Sequence, residues 1–145
     1  MKRLFIDMDG VIVDFIQSVI NHPDYDKNNS EIDGLKDVFL NAPPIDLAID
    51  SVIKLIECGK YEVYIATTAP WANTDSLSHK RIWLEKYFGD KLKKRLIITH
   101  RKDFLIGDIL IDDGTKNGAG EFIGELIHFG SKKYPDWNTV LKFLL

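Results

Sequence analysis

Cysteine is almost absent: Cys58 stands alone among 145 residues, so no disulfide within the chain can brace a weak core and no multi-cysteine zinc site can form. Long apolar runs are missing too. Asp7, Asp9 and Asp14 break the apolar stretch that follows Met1-Lys2-Arg3, and no run approaches the ~18 residues of a membrane span or forms a signal-peptide core. The expectation is a soluble, unexported protein of the reducing cytoplasm, with Cys58 buried and inert near the end of a helix. Neither sign of charge dominates, since 19 basic residues face 22 acidic ones for a net −3. That balance argues against a nucleic-acid polymer or an anionic membrane as the main partner. The sequence also lacks HExxH and GxxxxGK, and Gly118-x-Gly120 lacks the third glycine of a dinucleotide fingerprint. What remains is ordinary globular material, 45% hydrophobic and 28% charged with eight Phe, five Tyr and three Trp, at a length typical of one domain.

Five short apolar runs alternate with helix-type stretches: Arg3 to Asp7, Tyr61 to Ala66, Arg95 to Thr99, Asp108 to Asp112, and Glu125 to Phe129. The alternation predicts an α/β fold, and runs apolar on both faces predict a parallel sheet covered by helices on either side. Leu47, Ala48, Val52, Leu55 and Ile56 recur at helical spacing, with Asp46 placed as a cap and Gly59 beyond the end. Further helices are predicted from about Ser78 to Phe88 and from Asp136 to Leu145. His22 to Pro44 departs from the pattern, with Pro, Asn, Asp and Gly clusters around the apolar Leu35 to Leu40. It reads as an insertion over the carboxyl edge of the sheet, where open α/β folds bind ligands. One domain, 1–145, is expected, with a small helical cap at about residues 15–45.

The chemistry gathers at strand ends. Asp7-Met8-Asp9-Gly10 closes the first run and Asp112-Asp113 closes the fourth, so a parallel sheet brings four carboxylates to one edge. Desolvated like charges resist joint ionisation and are usually kept for a cation or a reaction. A hard divalent cation, Mg²⁺ above all, suits an all-oxygen donor set completed by water and a phosphate oxygen. Thr67-Thr68 and Lys102, near two further strand ends, supply hydroxyls and an ammonium for phosphate. Phe15, Phe39 and Trp71 are aromatic candidates for a base or sugar ring, although such residues are more often core. His22, His79 and His128 read as structural or solvated.

Asp7-x-Asp9-Gly10-Val11, Thr67, Lys102 and Asp112-Asp113 occur in the order used by the haloacid dehalogenase-like phosphatases, which the chain resembles from residue 7 to 113. The stretches Asp7 to Phe15, Lys80 to Gly89 and Asp108 to Asp113 more closely resemble the 5′(3′)-deoxyribonucleotidases. This resemblance implies a Rossmann-like three-layer sandwich with a short helical cap after the first strand. It implies that Asp7 is the nucleophile, that Asp9 is the general acid and base and also binds metal through its carbonyl, and that Asp7 and Asp113 are direct Mg²⁺ ligands through their carboxylates. Asp112 would point away and act through a water. Thr67 and Lys102 would steady the phosphoryl group, Thr68 and Lys80 would serve the phosphate, and Phe15 would pack against a nucleobase of a deoxynucleoside monophosphate. Two positions depart from the family: His100 stands where it commonly carries Arg, and Gly114 where an Arg commonly follows the acidic pair. Both bear on substrate choice, which leaves a sugar or other small metabolite phosphate as the alternative. A receiver-like phosphate-binding module gathers similar residues, but in a different chain order.

Overall fold

Each of the five apolar runs becomes a strand of one sheet in the computed structural model, which describes residues 1–145. They are β1 (Lys2–Ile6), β2 (Tyr61–Thr67), β3 (Leu96–Ile98), β4 (Ile109–Asp112) and β5 (Glu125–His128). All neighbours pair in parallel, in the order β3-β2-β1-β4-β5. The chain winds outward from β1 to β3, then crosses back to β4 and β5, so the winding direction switches between β1 and β4. Ile6 pairs with Ile111, and the Asp7 amide donates to the Ile111 carbonyl at 2.9 Å. The two acidic segments therefore emerge side by side at the switch point, the usual ligand crevice of such sheets.

The two faces of the sheet are covered unequally. One carries α2 (Ala48–Glu57), α3 (Asp75–Phe88) and α4 (Trp137–Leu144), packed over Leu4, Ile6, Val63, Ile65, Ile111 and Ile127. The other presents Phe5, Ala66 and Leu110, and is closed by Leu105, Ala119 and Phe122 from the 3₁₀ turns Lys102–Phe104 and Ala119–Glu121 and the residues just after them. The architecture is a Rossmann-like three-layer α/β fold whose third layer is short turns. That thin layer places Lys102 beneath the sheet's carboxyl edge.

Between β1 and α2 the chain makes α1 (Phe15–Ile20), capped by the Asp14 carboxylate on the Gln17 amide, and a 3₁₀ turn at Ile32–Gly34. This segment has its own small core of Val19, Val38 and Phe39. Its two ends are pinned together where the Asp14 amide donates to the Pro43 carbonyl and the Ile45 amide to the Ile12 carbonyl, both at 2.8 Å.

Local expectations fail where tertiary contacts set the chain. Asp46 does not cap α2: Leu47 occupies that position with φ 62° and no side-chain cap, because the Ile45–Ile12 bond fixes how the chain enters the helix. Helix α3 starts at Asp75, ahead of the expected Ser78, with the Asn73 carboxamide accepting from the Ser76 amide. Cys58 is exposed rather than buried, since α2 ends at Glu57 and leaves it at the surface with its thiol donating to the Leu55 carbonyl.

Helix α4 is tied to the loop behind the acidic strand end by the buried Trp137 indole N–H, which donates to the Val11 carbonyl at 2.8 Å. Trp137→Phe leaves that carbonyl without a partner, so a loss of about 1–3 kcal/mol is expected in urea unfolding. An unchanged midpoint would mean that the bond contributes nothing.

Candidate active site

Behind β1 the backbone folds sharply on itself. The amides of Val11, Ile12 and Val13 all converge on the Met8 carbonyl, and the Gly10 amide donates to the Val13 carbonyl at 2.9 Å. Gly10 sits at φ +81°, and a Cβ there would run into the Asp113 carboxylate, so glycine is required both by the turn and by the acid packed against it. On the neighbouring strand the Asp112 carboxylate accepts from the Gly114 amide at 3.0 Å, an Asx turn that directs the chain back toward β1. Asp112 was expected to face away from Asp113. Instead the turn brings the carboxylates of Asp7, Asp112 and Asp113 together, with their ligand oxygens within 4.8 Å of one another.

Lys102 lies among these acids, 4% exposed, with Nζ 3.0 Å from Asp7 Oδ1 and 2.5 Å from Asp112 Oδ2. Its backbone amide donates to the Asn117 carbonyl at 2.7 Å, so the loop after β4 holds the lysine in place. A second buried ammonium, Lys80 of α3, donates to Asp9 Oδ2 at 2.8 Å and to Thr67 Oγ1 at 3.0 Å. The Lys80 to Gly89 stretch gave no sign that this lysine would be buried. It is 1% exposed because α3 begins early enough to carry it over the sheet edge.

Four carboxylates thus meet two ammonium groups, an excess of two negative charges when all are ionised. The strain appears in the titration of Asp7, whose pKa rises from 3.8 to about 7. Burial is the main cause, opposed by Lys102 and reinforced by Asp112. Asp113 is also raised, by burial and then by Asp112. Burial pulls Lys102 down, but Asp7 and Asp112 outweigh it and hold the ammonium charged well into the alkaline range. A hard divalent cation would remove the excess, and the carboxylate oxygens of Asp7, Asp112 and Asp113 form a donor set that fits one.

The sign for stability follows from Asp7. Between pH 3.8 and about 7 the folded protein binds a proton that the unfolded chain has released, so without metal stability falls as pH rises through that window. Thermal unfolding in a chelator from pH 4 to 8 should show this fall, and a divalent cation should raise the midpoint more at pH 8 than at pH 5. A flat profile in chelator would contradict the raised Asp7.

Of the other residues singled out from sequence, Thr68 lies at the edge with its hydroxyl donating to the Thr99 carbonyl at 2.8 Å. Phe15 is half-buried and stacks on Phe39, with ring centroids 5.2 Å apart and planes 15° apart. Phe39 is buried, with Lys80 Nζ 4.5 Å from its ring centre. Phe15 and Lys80 thus occupy its surroundings and leave no free face for a base. Trp71 is 89% exposed and meets the exposed His100 edge-on at 6.1 Å. His128, read as structural or solvated, bonds the Asp113 carbonyl through Nε2 at 2.9 Å; the Asp112–His128 strand register explains this, but no local signal in the sequence reveals it.

Residues 35–138 match the family model described as 5′ nucleotidase, deoxy (Pyrimidine), cytosolic type C protein. The chain belongs to this family. Within the type C 5′ nucleotidase family its similarity is broad. It is 43% identical over 143 residues to a Vibrio phage KVP40 protein named "Putative 5'(3')-deoxyribonucleotidase", covering 97% of this chain and 83% of that one. It is 24% identical over 168 residues to the human 5′(3′)-deoxyribonucleotidase, cytosolic type, covering 96% of this chain and 78% of the human protein. A Bacillus subtilis 5′(3′)-deoxyribonucleotidase matches at 41% over 85 residues, which is 59% of this chain and 48% of that protein.

Proposed function

We propose that this protein is a Mg²⁺-dependent phosphomonoesterase that removes phosphate from deoxynucleoside monophosphates through a phosphoaspartate on Asp7. The observation that carries the reading is the convergence of Asp7, Asp112 and Asp113 with Lys102 at the sheet's switch point. Asp7, Asp112, Asp113 and the Asp9 carbonyl would hold the metal. When bound, it would offset the charge of the carboxylate and the phosphate as they meet.

The chain's own residues supply the rest. An Asp7 oxygen attacks phosphorus, the bond from phosphorus to the ester oxygen breaks, and Asp9 gives its proton to the departing alkoxide. Asp9 then takes a proton from water as that water's oxygen attacks phosphorus, breaking the phosphoaspartate bond and freeing inorganic phosphate and the Asp7 carboxylate. Lys102 steadies the negative charge on Asp7 and on the transferring group. The Thr67 oxygen already accepts from Lys80, which leaves its O–H to donate to a phosphoryl oxygen. The Thr68 hydroxyl is committed to the Thr99 carbonyl, so at that position the backbone amide is the better phosphate donor.

Residues 15–45 act as a cap on a single domain, and Phe15 is the aromatic face that the substrate meets. No helix is long and apolar enough to cross a membrane. The place of action we assign is the cytoplasm, with a small phosphate ester rather than a nucleic-acid polymer as partner. Phe39 without a free face, Trp71 far out at the surface, and His100 and Gly114 in place of arginines favour a second reading, a sugar or other small metabolite phosphate. A screen of deoxynucleoside monophosphates, sugar phosphates and p-nitrophenyl phosphate, with Mg²⁺ and with chelator, tests both. Metal-dependent turnover fastest on deoxynucleotides is expected. Turnover of deoxynucleotides no faster than of p-nitrophenyl phosphate would remove the nucleotide claim, and full activity in chelator would remove the metal.

A further inference from the structure

We infer that His128 is a positioning residue for the cation site, acting through the backbone of Asp113 to hold that residue's carboxylate toward Asp7 and Asp112. The last backbone bond between β5 and β4 is the Phe129 amide donating to the Asp112 carbonyl at 2.9 Å. Beyond it β5 turns away, and the Gly130 amide goes to the Tyr134 carbonyl at 2.8 Å. No backbone donor of β5 is then left for the next carbonyl, that of Asp113. The His128 side chain takes its place: Nε2 lies 2.9 Å from the Asp113 carbonyl oxygen, and since a carbonyl only accepts, Nε2 donates.

The consequence falls on the direction of the Asp113 side chain. Each peptide unit is planar, so fixing the two units that flank a residue fixes its φ and ψ, and with them the direction of its Cα–Cβ bond. The unit before Asp113 is held at its carbonyl by Phe129. The unit after it is held at both ends, by His128 at the carbonyl and by Asp112 Oδ1, which accepts from the Gly114 amide at 3.0 Å. The carboxylate so directed packs against Gly10, where a Cβ would collide with it, and joins one donor set with Asp7 and Asp112. Without the imidazole the second unit keeps only its Asx bond, at an exposed turn where water competes for the carbonyl. Groups that hold a metal ligand from behind are worth about 10- to 100-fold in metal affinity, and because the His128 ring is exposed the lower end applies.

This inference rests on the reading of Asp113 as a metal ligand, and the experiment separates the two. His128→Phe keeps a flat ring without a donor, whereas His128→Gln restores an N–H at the reach of Nε2. Calorimetric titration of the full chain with Mg²⁺ alone measures its affinity, and thermal unfolding in chelator measures stability without it. Turnover of p-nitrophenyl phosphate at rising Mg²⁺ separates kcat from the metal requirement. His128→Phe is expected to weaken Mg²⁺ binding about tenfold, with His128→Gln recovering most of the loss. The chelator midpoint and kcat at saturating Mg²⁺ should stay close to wild type in both, since the side chain is exposed. Unchanged Mg²⁺ affinity in His128→Phe, equal losses in the two variants, a loss confined to kcat, or a chelator midpoint lowered by more than a few degrees overturns the positioning role, while metal-dependent turnover by the wild type still supports the phosphatase. A wild-type chain that binds no Mg²⁺ overturns the metal reading and this inference with it.

Discussion

Asp7→Asn should reduce turnover of p-nitrophenyl phosphate by roughly 10⁴-fold or more, the scale seen when a nucleophile that acts as part of a unit is removed. The fold should survive the change. Asparagine keeps the size and shape of the side chain, and the carboxylate it replaces is one that burial already disfavours, its pKa lifted to about 7. In chelator at pH 8 the variant should therefore unfold at the wild-type temperature or above it, and most of its fall in stability between pH 4 and 7 should vanish. Steady-state kinetics and thermal unfolding on one preparation check both halves. A wild-type rate would refute Asp7 as nucleophile, and a collapsed midpoint would show that the charged acid supports the fold.

Lys102→Met should show the opposite balance of effects. Its ammonium is shared between Asp7 at 3.0 Å and Asp112 at 2.5 Å, and no other cation lies within ion-pair distance of either acid. Breaking a buried pair by removing one partner costs about 3–5 kcal/mol, because the remaining charge is left in a poorly solvated place. The loss should be largest in chelator at pH 8, shrink at pH 5 where Asp7 takes up a proton, and be partly reversed by Mg²⁺, which can occupy the same negative field. Activity should fall by roughly 10²- to 10³-fold, as when a preorganised group facing the transition-state charge is removed. Urea titrations at the two pH values, with and without Mg²⁺, decide the matter. Wild-type stability at pH 8 in chelator would mean that the acids are compensated elsewhere.

The parts of the site that could be read from the sequence are those carried by single short segments. Asp7-x-Asp9-Gly10 follows a strand that is apolar on both faces, and Asp112-Asp113 follows another, so the period of the runs alone placed both pairs at one sheet edge. The family likeness ordered Thr67 and Lys102 behind them. The pairings were not legible. Lys80 meets Asp9 across 71 positions, and the spacing of α3 alone gives no sign that its lysine reaches the segment after the first strand. Phe39 looked like a ring for the substrate, but stacks on Phe15 and faces Lys80. Asp112 looked turned away, because strand alternation does not anticipate the Asx turn that ends β4. Asp46 and Cys58 were misplaced for a related reason: the ends of α2 are set by the Ile45–Ile12 bond and by where the helix stops, and neither is a local preference.

By itself the sequence determined the α/β class, the parallel sheet and the residue types brought to its carboxyl edge, because strand period, turn chemistry and acidic pairs are encoded within a few neighbouring positions. Tertiary structure alone decided the charge pairing of Asp7 and Asp112 with Lys102 and of Asp9 with Lys80, and therefore which carboxyl oxygens the two ammonium groups hold. Those outcomes depend on burial and on distances of about 3 Å between distant segments, where desolvation makes each partner's charge strongly felt.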